Sequence, residues 1–501
     1  MAVESISNIK LGVALITFVL SAKWIIGLFS PYRRVGKSRL RTLFTRELPT
    51  RWAIDKYGRE GYEKYHSKGQ LFKLRVFGQD YWVLPPKYLR DIKSAPAASL
   101  SFFQALSDAF NMQASVGNLY HSTLEITVVA KHLNSQFTKI VPLLADEAKF
   151  AIETEIGHLS DWKTFNASVL CERLLHRTTS RILVGPGLCR DEEYIDVSGR
   201  FSKSLFIFGT FWNFVSLGPL RKLFALLTIR GHTRDLDQAT LMLLPVIQGR
   251  LIERSNGTDI SEKYTDMLQW IMDTPSSIPE DDDPVHQAHH LLHLTFAASS
   301  ASGILVTQGL FQCLMFPEYV KPLREEVERA LQENAGWTDK ALSSMPLLDS
   351  FLRESMRMYP AGSLTGARTV MDSSFKFHDG LELPKGSRLI FPALAVHMDP
   401  SNYSNPDNFD GFRFAPSPNG GNGQRSIGAA TVDSKFLPFG YGTHACPGRF
   451  YAVRKAKIVL GLLLTRYDFK WEGHITTRPP DISIEAQMVC NNQARVRLKS
   501  R

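Results

Sequence analysis

The first apolar block runs from Leu11 to Phe29, LGVALITFVLSAKWIIGLF, and is interrupted only by Lys23 and a few small polar residues. A helix over that stretch spans roughly 28 Å, against a hydrocarbon core of about 30 Å. Lys23 would cost on the order of 3 kcal/mol at a bilayer centre, but it lies nearer the C-terminal end, where its stem can reach the interface. Arg33, Arg34, Lys37, Arg39 and Arg41 follow, so the positive-inside rule puts everything downstream in the cytosol. The pattern predicts an uncleaved N-terminal transmembrane helix and basic linker over residues 1–45. A cleaved signal peptide is the alternative; the apolar run is too long for an ordinary one and lacks a leading basic cluster.

Residues 46–501 read as a single domain. Between 71 and 84, LFKLRVFGQDYWVL alternates as a hairpin should and is expected to turn at Gly78-Gln79-Asp80. Pro85-Pro86 ends it, and a helix is expected from Lys87 to Ser94. From about 140 to 330 the spacing is mostly helical, with a long apolar helix over His286–Met315. Beyond about 360 the texture changes to short apolar runs and turn dipeptides, and 400–435 is a loop rich in proline, glycine and asparagine. These patterns predict a mainly α protein, a large helical body with a small β-rich lobe.

Charge and cysteine content alter this picture little. The net charge of +10 could suit nucleic acid, but no basic stretch is interleaved with aromatics as a base-stacking platform requires. The juxtamembrane cluster and a basic helix after Cys446 carry much of it. Five cysteines, Cys171, Cys189, Cys313, Cys446 and Cys490, are widely spaced without a C-x-x-C, which predicts no disulfide framework.

One cysteine stands apart. In Phe439-Gly-Tyr-Gly-Thr-His-Ala-Cys446-Pro-Gly-Arg-Phe-Tyr-Ala452 a glycine-rich turn presents Cys446 just before a predicted helix, with Pro447 suited to its first position. Free N–H groups at that helix end would lower the thiol pKa. A buried, inert cysteine is the alternative. The spacing F-x-x-G-x-H-x-C-x-G, carried by Phe439, Gly442, His444, Cys446 and Gly448, resembles the haem-binding loop of the cytochrome P450 family.

The resemblance runs from about residue 50 to the end and implies the P450 fold, haem b as cofactor and Cys446 as its axial thiolate and metal ligand. It implies that Glu354, Arg357 and Arg413 form a buried network beneath the haem loop, and that His444 and Arg368 reach the haem propionates. Phe439, Gly442 and Gly448 would shape the cofactor pocket. The W-x-x-x-R pattern that supplies a third propionate contact is missing, leaving His121 and Lys131 as stand-ins. On the distal helix the family's A-G-x-[D/E]-T-[T/S] is replaced by Ala297-Ala298-Ser299-Ser300-Ala301-Ser302. The usual threonine is Ala301, so Ser300 or Ser302 is the catalytic candidate for proton delivery, unless the substrate brings its own hydroxyl. Apolar segments around Phe102, Phe103, Met112, Phe206, Phe208, Phe211, Trp212, Phe214, Ala361–Thr365 and Met488–Cys490 predict a pocket for a lipophilic small molecule.

The family's partners follow by implication: NADPH-cytochrome P450 reductase, docking on Arg449, Arg454, Lys455 and Lys457, and the endoplasmic reticulum membrane, spanned once. Glu60-Gly61-Tyr62-Glu63-Lys64-Tyr65 and Arg177-Thr-Thr-Ser-Arg181-Ile-Leu-Val-Gly185 look like fungal members that oxidise diterpenes, indole diterpenes and related secondary metabolites. The expected activity is terpenoid oxidation with O2. Haem-dependent rearrangement or dehydration without O2 activation is the alternative, and a non-enzymatic haem sensor a third reading.

Overall fold

The computed structural model describes residues 35, 53–110, 112, 116–117, 119, 122–214, 230–257, 259–260, 263–276, 278–416 and 426–501. The expected anchor, Leu11–Phe29, and His121 lie outside them. Helix α1 (Ile54–Tyr65) precedes strands β1 (Phe72–Val76) and β2 (Gln79–Val83), α2 (Leu89–Ile92), β3 (Leu100–Ser101), α3 (Phe102–Phe110) and α4 (Leu124–Lys131). The helical body follows as α5 (Phe137–Glu155), strand β4 (Lys163–Asn166), α6 (Ala167–Leu188), α7 (Glu192–Phe214), α8 (Arg230–Ser255), α9 (Met267–Asp273) and α10 (Pro284–Met315). Then come α11 (Val320–Glu333), α12 (Asp339–Ser343), α13 (Pro346–Met358), strands β5 (Thr365–Val370), β6 (Ser374–Lys376), β7 (Glu382–Pro384) and β8 (Arg388–Phe391), and α14 (Ala393–His397). The chain closes with α15 (Arg449–Arg466), β9 (Tyr467–Trp471), β10 (Ile482–Ile484), β11 (Gln487–Val489) and β12 (Arg495–Ser500).

The β-rich lobe is a five-stranded sheet in the order β1-β2-β8-β5-β3, with β2 and β8 parallel and the other pairs antiparallel. The first hairpin turns earlier than expected. Phe77 and Gly78, with φ of 49° and 69°, form a two-residue loop whose positive φ angles match the strand twist, and Gln79 and Asp80 already belong to β2. The expected helix after Pro85-Pro86 is a short 3-10 turn followed by the single-turn α2. A second sheet, β4-β12-β9, joins residues from the middle and the end of the chain, Asn166 facing Arg495 and Lys163 facing Leu498.

Helix α10 is the axis of the body. Its start is set by Asp283, whose carboxylate accepts from His286 N, and by Pro284 at the first turn, where a missing N–H costs nothing. It is the one helix among the described residues long and apolar enough to cross a membrane, but 67% of its apolar window is buried in protein. It is therefore a core helix. Helices α6 and α15 pack along it. Gly309 permits the close approach of α15, since a Cβ there would come within 2.9 Å of a Leu460 methyl.

Candidate active site

Cys446 is delivered by a loop whose shape is fixed on both sides. Its amide donates to the Phe439 carbonyl at 2.8 Å. Gly442, with φ of 74°, presses on the carbonyl of Lys93, where a Cβ would sit 2.6 Å from the oxygen. Thr443 donates to the same carbonyl through both its amide and its hydroxyl, at 2.9 and 2.8 Å. His444 Nε2 lies 3.0 Å from the Ala95 carbonyl oxygen. Helix α15 begins at Arg449, with Gly448 capping it, so Pro447 precedes the helix instead of opening it as expected.

Of the five cysteines, all free, Cys446 alone has an exposed side chain. Protein nevertheless surrounds it, and burial pushes its thiol pKa up. The N–H groups of Gly448 and Arg449 and the Arg449 charge act the other way and do not overcome burial. The expected lowering of the thiol pKa is thus corrected: the helix-end effect is present but is the smaller term. A soft sulfur open on a protein-walled recess suits a metal whose charge deprotonates it outright.

Arg368, on β5, is 3% exposed and faces no carboxylate at ion-pair distance among the described residues. Its Nη1 donates only to the neighbouring Ala367 carbonyl, and its guanidinium lies 5.5 Å from the centre of the Phe102 ring. Burial lowers its pKa to about 10. A buried cation without a counter-ion is costly, and an anionic group such as a haem propionate would complete it. The donor set and this orphaned charge fit a haem. Lys131, at the end of α4, is exposed.

Beneath the loop, Arg357 grips Glu354 through Nε and Nη2 at 2.7 and 2.8 Å, and Arg413 Nε reaches Glu354 Oε1 at 3.1 Å. Arg357 also donates to the His397 carbonyl, and Arg413 to the carbonyls of Ser404 and Asn408. Glu354 and Arg357 are fully buried, so each charge is compensated by geometry instead of solvent.

Past the first turn of α10, where Val285 is exposed, the open residues are Ala297, Ser300 and Ala301, and the rest of the helix is buried or half-buried. They recur at the three- and four-residue spacing of one helix face. The middle of this core helix is thus uncovered by protein at three positions, of which Ser300 offers a hydroxyl and Ala301 a methyl. Ser302 is 3% exposed and donates to the Ala298 carbonyl at 2.8 Å, which removes it as a direct proton donor. Ser299 is also buried, 3.2 Å from His176 Nδ1.

The aromatic wall differs from the expected one. Phe102 is exposed and Phe103 packs edge-on against it at 5.7 Å. Met112 is fully buried and belongs to the core. Phe110, not singled out from sequence, joins the wall to the central helix, with ring centres 6.2 Å from Phe206 and 6.4 Å from Phe296. The side chains of Phe208, Phe211, Trp212 and Phe214 lie outside those described.

The basic helix after Cys446 is also corrected. Lys455 and Lys457 are buried, at 0% and 3% exposure, and cannot greet a partner. Lys457 Nζ bonds Asp349 at 2.8 Å and the Met345 carbonyl. Arg454 pairs with Asp339 at 2.6 Å and lies 3.8 Å over the Phe137 ring. Lys455 Nζ donates to Thr179 Oγ1 at 2.5 Å and to the Ala298 carbonyl at 3.0 Å, tying α15 to the central helix beside the open stripe. Among the described residues no carboxylate answers it, and burial lowers its pKa to about 7.

Residues 127–499 match the family described as Cytochrome P450. Among curated proteins the chain is 44% identical over 474 residues to "Cytochrome P450 monooxygenase sirB" of Leptosphaeria maculans, covering 94% of this chain and 90% of that one. It is 32% identical over 438 residues to "Aspergilol synthase AuAP450" of Aspergillus ustus, with 86% and 79% covered. Against "Ent-kaurene oxidase" of Gibberella intermedia the identity is 29% over 450 residues, with 88% and 82% covered.

Proposed function

The chain belongs to the cytochrome P450 monooxygenase family, whose cofactor is haem b with an axial cysteine thiolate, and from that premise we propose that it is a membrane-anchored enzyme oxidising a lipophilic, terpenoid-type secondary metabolite with O2. The reading takes residues 1–45 as the anchor and linker, residues 46–501 as the cytosolic catalytic domain, and the endoplasmic reticulum as its membrane. An NADPH-dependent P450 reductase would supply the electrons. Since Arg454, Lys455 and Lys457 are engaged internally, Arg449 is the one member of the expected docking set left to meet it.

The proposal rests chiefly on Cys446, an exposed thiol on a loop held by backbone bonds, together with the exposed positions in the middle of the otherwise buried α10. When bound, the haem supplies oxygen activation, assisted by electron donation from the thiolate. In this assignment Cys446 would ligate the iron through its thiolate, Arg368 would neutralise a propionate and His444 would offer one a hydrogen bond. Phe439, Gly442 and Gly448 shape the loop around the sulfur. Phe102, Phe110, Phe206 and Phe296 exclude water and present apolar surface, as a terpenoid skeleton requires. The relatives' printed names, an ent-kaurene oxidase among them, support that substrate class.

Ser300 holds the one side-chain hydroxyl on the stripe Ala297-Ser300-Ala301, so it orders water and relays protons there, alone or with a hydroxyl of the substrate. Ala301 favours a second reading, rearrangement or dehydration of an already oxygenated substrate without O2 activation. Reconstitution with reductase and a panel of terpenoids separates the two. Substrate-dependent consumption of NADPH and O2 is expected, whereas product formed without reductase would establish the second reading instead.

A further inference from the structure

We infer that Asp281, His286 and His290 form a binding site for a divalent zinc-like metal ion at the N-terminal end of α10, separate from the haem ligand set. His286 and His290 are four residues apart on one helix and so project from the same face. Asp281 precedes the helix in the 3-10 turn Pro279–Asp282 and folds back over that face. Its Oδ1 lies 3.0 Å from His286 Nδ1 and 2.9 Å from His290 Nε2, and the three donor atoms lie within 4.8 Å of one another. Tetrahedral zinc with ligand bonds of about 2.0–2.1 Å sets its donors about 3.3 Å apart, so small side-chain movements would admit the ion. Two imidazoles and a carboxylate suit zinc, whereas calcium and magnesium take oxygen ligands.

The surroundings are those of a built site. Asp281 Oδ2 accepts from the hydroxyls of Ser122 and Ser276, each at 2.5 Å, which orients Oδ1 toward the histidines. His290 Nδ1 lies 2.9 Å from Glu125 Oε1, a carboxylate-histidine arrangement that orients the ring, and Nε2, which bonds Asp281 Oδ1, would give up its proton to ligate the ion. Glu125 is held in turn by His293, 2.7 Å away. The His286 and His290 rings are 4.9 Å apart and nearly perpendicular, so they converge without stacking.

An ion-pair cluster alone would account for His290, which lies between two carboxylates. It serves His286 less well: its Nδ1 is buried and 3.0 Å from Asp281 Oδ1, but the two are not aligned as a hydrogen bond, and His290 Nε2 takes the same oxygen. A metal ion at the convergence point would be shared by all three donors. Exposed Asp282 and Asp283 flank the opening and would draw a cation in. Bound there, the ion would tie α4, through Ser122 and Glu125, to the start of α10 and the segment after α9. Water would complete four-coordination.

The test uses tag-free, haem-loaded full-length protein, stripped with a chelator and re-equilibrated with zinc sulfate in the presence of a competing fluorescent chelator. About one zinc per chain is expected, with affinity at least tenfold weaker in His286→Ala, about 10- to 100-fold weaker in Glu125→Gln, and unchanged in His289→Ala. Haem content of each variant verifies its fold. Zinc-edge X-ray absorption of the wild-type protein gives an answer independent of the variants, with nitrogen and oxygen ligands expected at zinc distances. Equal zinc uptake by wild type and His286→Ala, sulfur in the ligand shell, or no uptake by wild type would each overturn the assignment.

Discussion

In the proposed reading Cys446, Arg368 and Ser300 would each act through an atom left uncommitted among the described residues. Cys446→Ser is expected to abolish the thiolate-specific carbon monoxide spectrum of the reduced protein while a folded chain is still recovered; an unchanged spectrum would refute the ligand assignment. Arg368→Met removes the orphaned charge, so haem should dissociate faster, by about tenfold or more, in a globin haem-transfer assay. For proton delivery, Ser300→Ala should lower the ratio of product to NADPH and raise peroxide. Ser302→Ala should leave coupling unchanged, because its hydroxyl is spent on the Ala298 carbonyl. Equal coupling in Ser300→Ala and wild type would point to the substrate's own hydroxyl. The cysteine was legible in sequence because its loop is a local motif whose glycines and aromatic are close in the chain. Lys455 was not. Arg454, Lys455 and Lys457 look like one solvated face, and only the packing of α15 on α10 and α6 decides that two of them are interior.

Helix α13 and helix α15 show how charge is handled inside an element. Glu354 is held by two arginines and by the Asp410 amide, so Glu354→Ala strands the fully buried Arg357 and removes the carboxylate partner of half-buried Arg413. Losing one partner of such a set costs on the order of 3–5 kcal/mol, and mostly haem-free or aggregated protein is expected on expression. Lys455 is the opposite case, a buried cation without an anionic partner among the described residues. Its folded pKa, about 7, is below the ordinary 10.5, so between those values the unfolded chain holds more protons and stability rises with pH. The penalty is complete below about 7 and fades toward 10.5. Lys455→Met should therefore raise the thermal midpoint by a few degrees near neutrality and by progressively less toward about pH 10, as read by near-ultraviolet circular dichroism across pH. Helix identity and the long axis of α10 followed from periodicity, its start differing by two residues from expectation because Pro284 and its Asp283 cap extend it. Arg177, read from sequence as a mark of lineage, is held between Glu155 and Glu192 and staples α5, α6 and α7 together.

At the scale of the molecule, the division into a helical body and a strand-rich lobe could be read from the change of texture near residue 360, because short apolar runs and turn dipeptides are local signals. The partners of those strands could not. The parallel pairing of β2 with β8 and the pairing of β4 with β12 depend on tertiary packing across hundreds of residues, as does the seating of Phe110 between Phe206 and Phe296. Removing residues 1–30 should leave a haem-binding domain, since the apolar run it deletes would face lipid. Full-length protein should sediment with membranes and resist carbonate extraction; release into the carbonate wash would exclude a spanning anchor.

The seam between β4 and β12 also bears on how this protein is made. Lys163–Asn166 leaves the ribosome long before its only ladder partner among the described strands, Arg495–Leu498. Until then both β4 and β9 present open edges, and the amide of Ser500 has not yet closed on the Leu159 carbonyl. Helices can form during synthesis, but the body cannot be sealed before β12 emerges, so the nascent chain stays exposed to aggregation and to chaperones until then. A stop codon at position 495, though distant from Cys446, should consequently yield insoluble protein, with the loss appearing in folding yield before any question of catalysis arises.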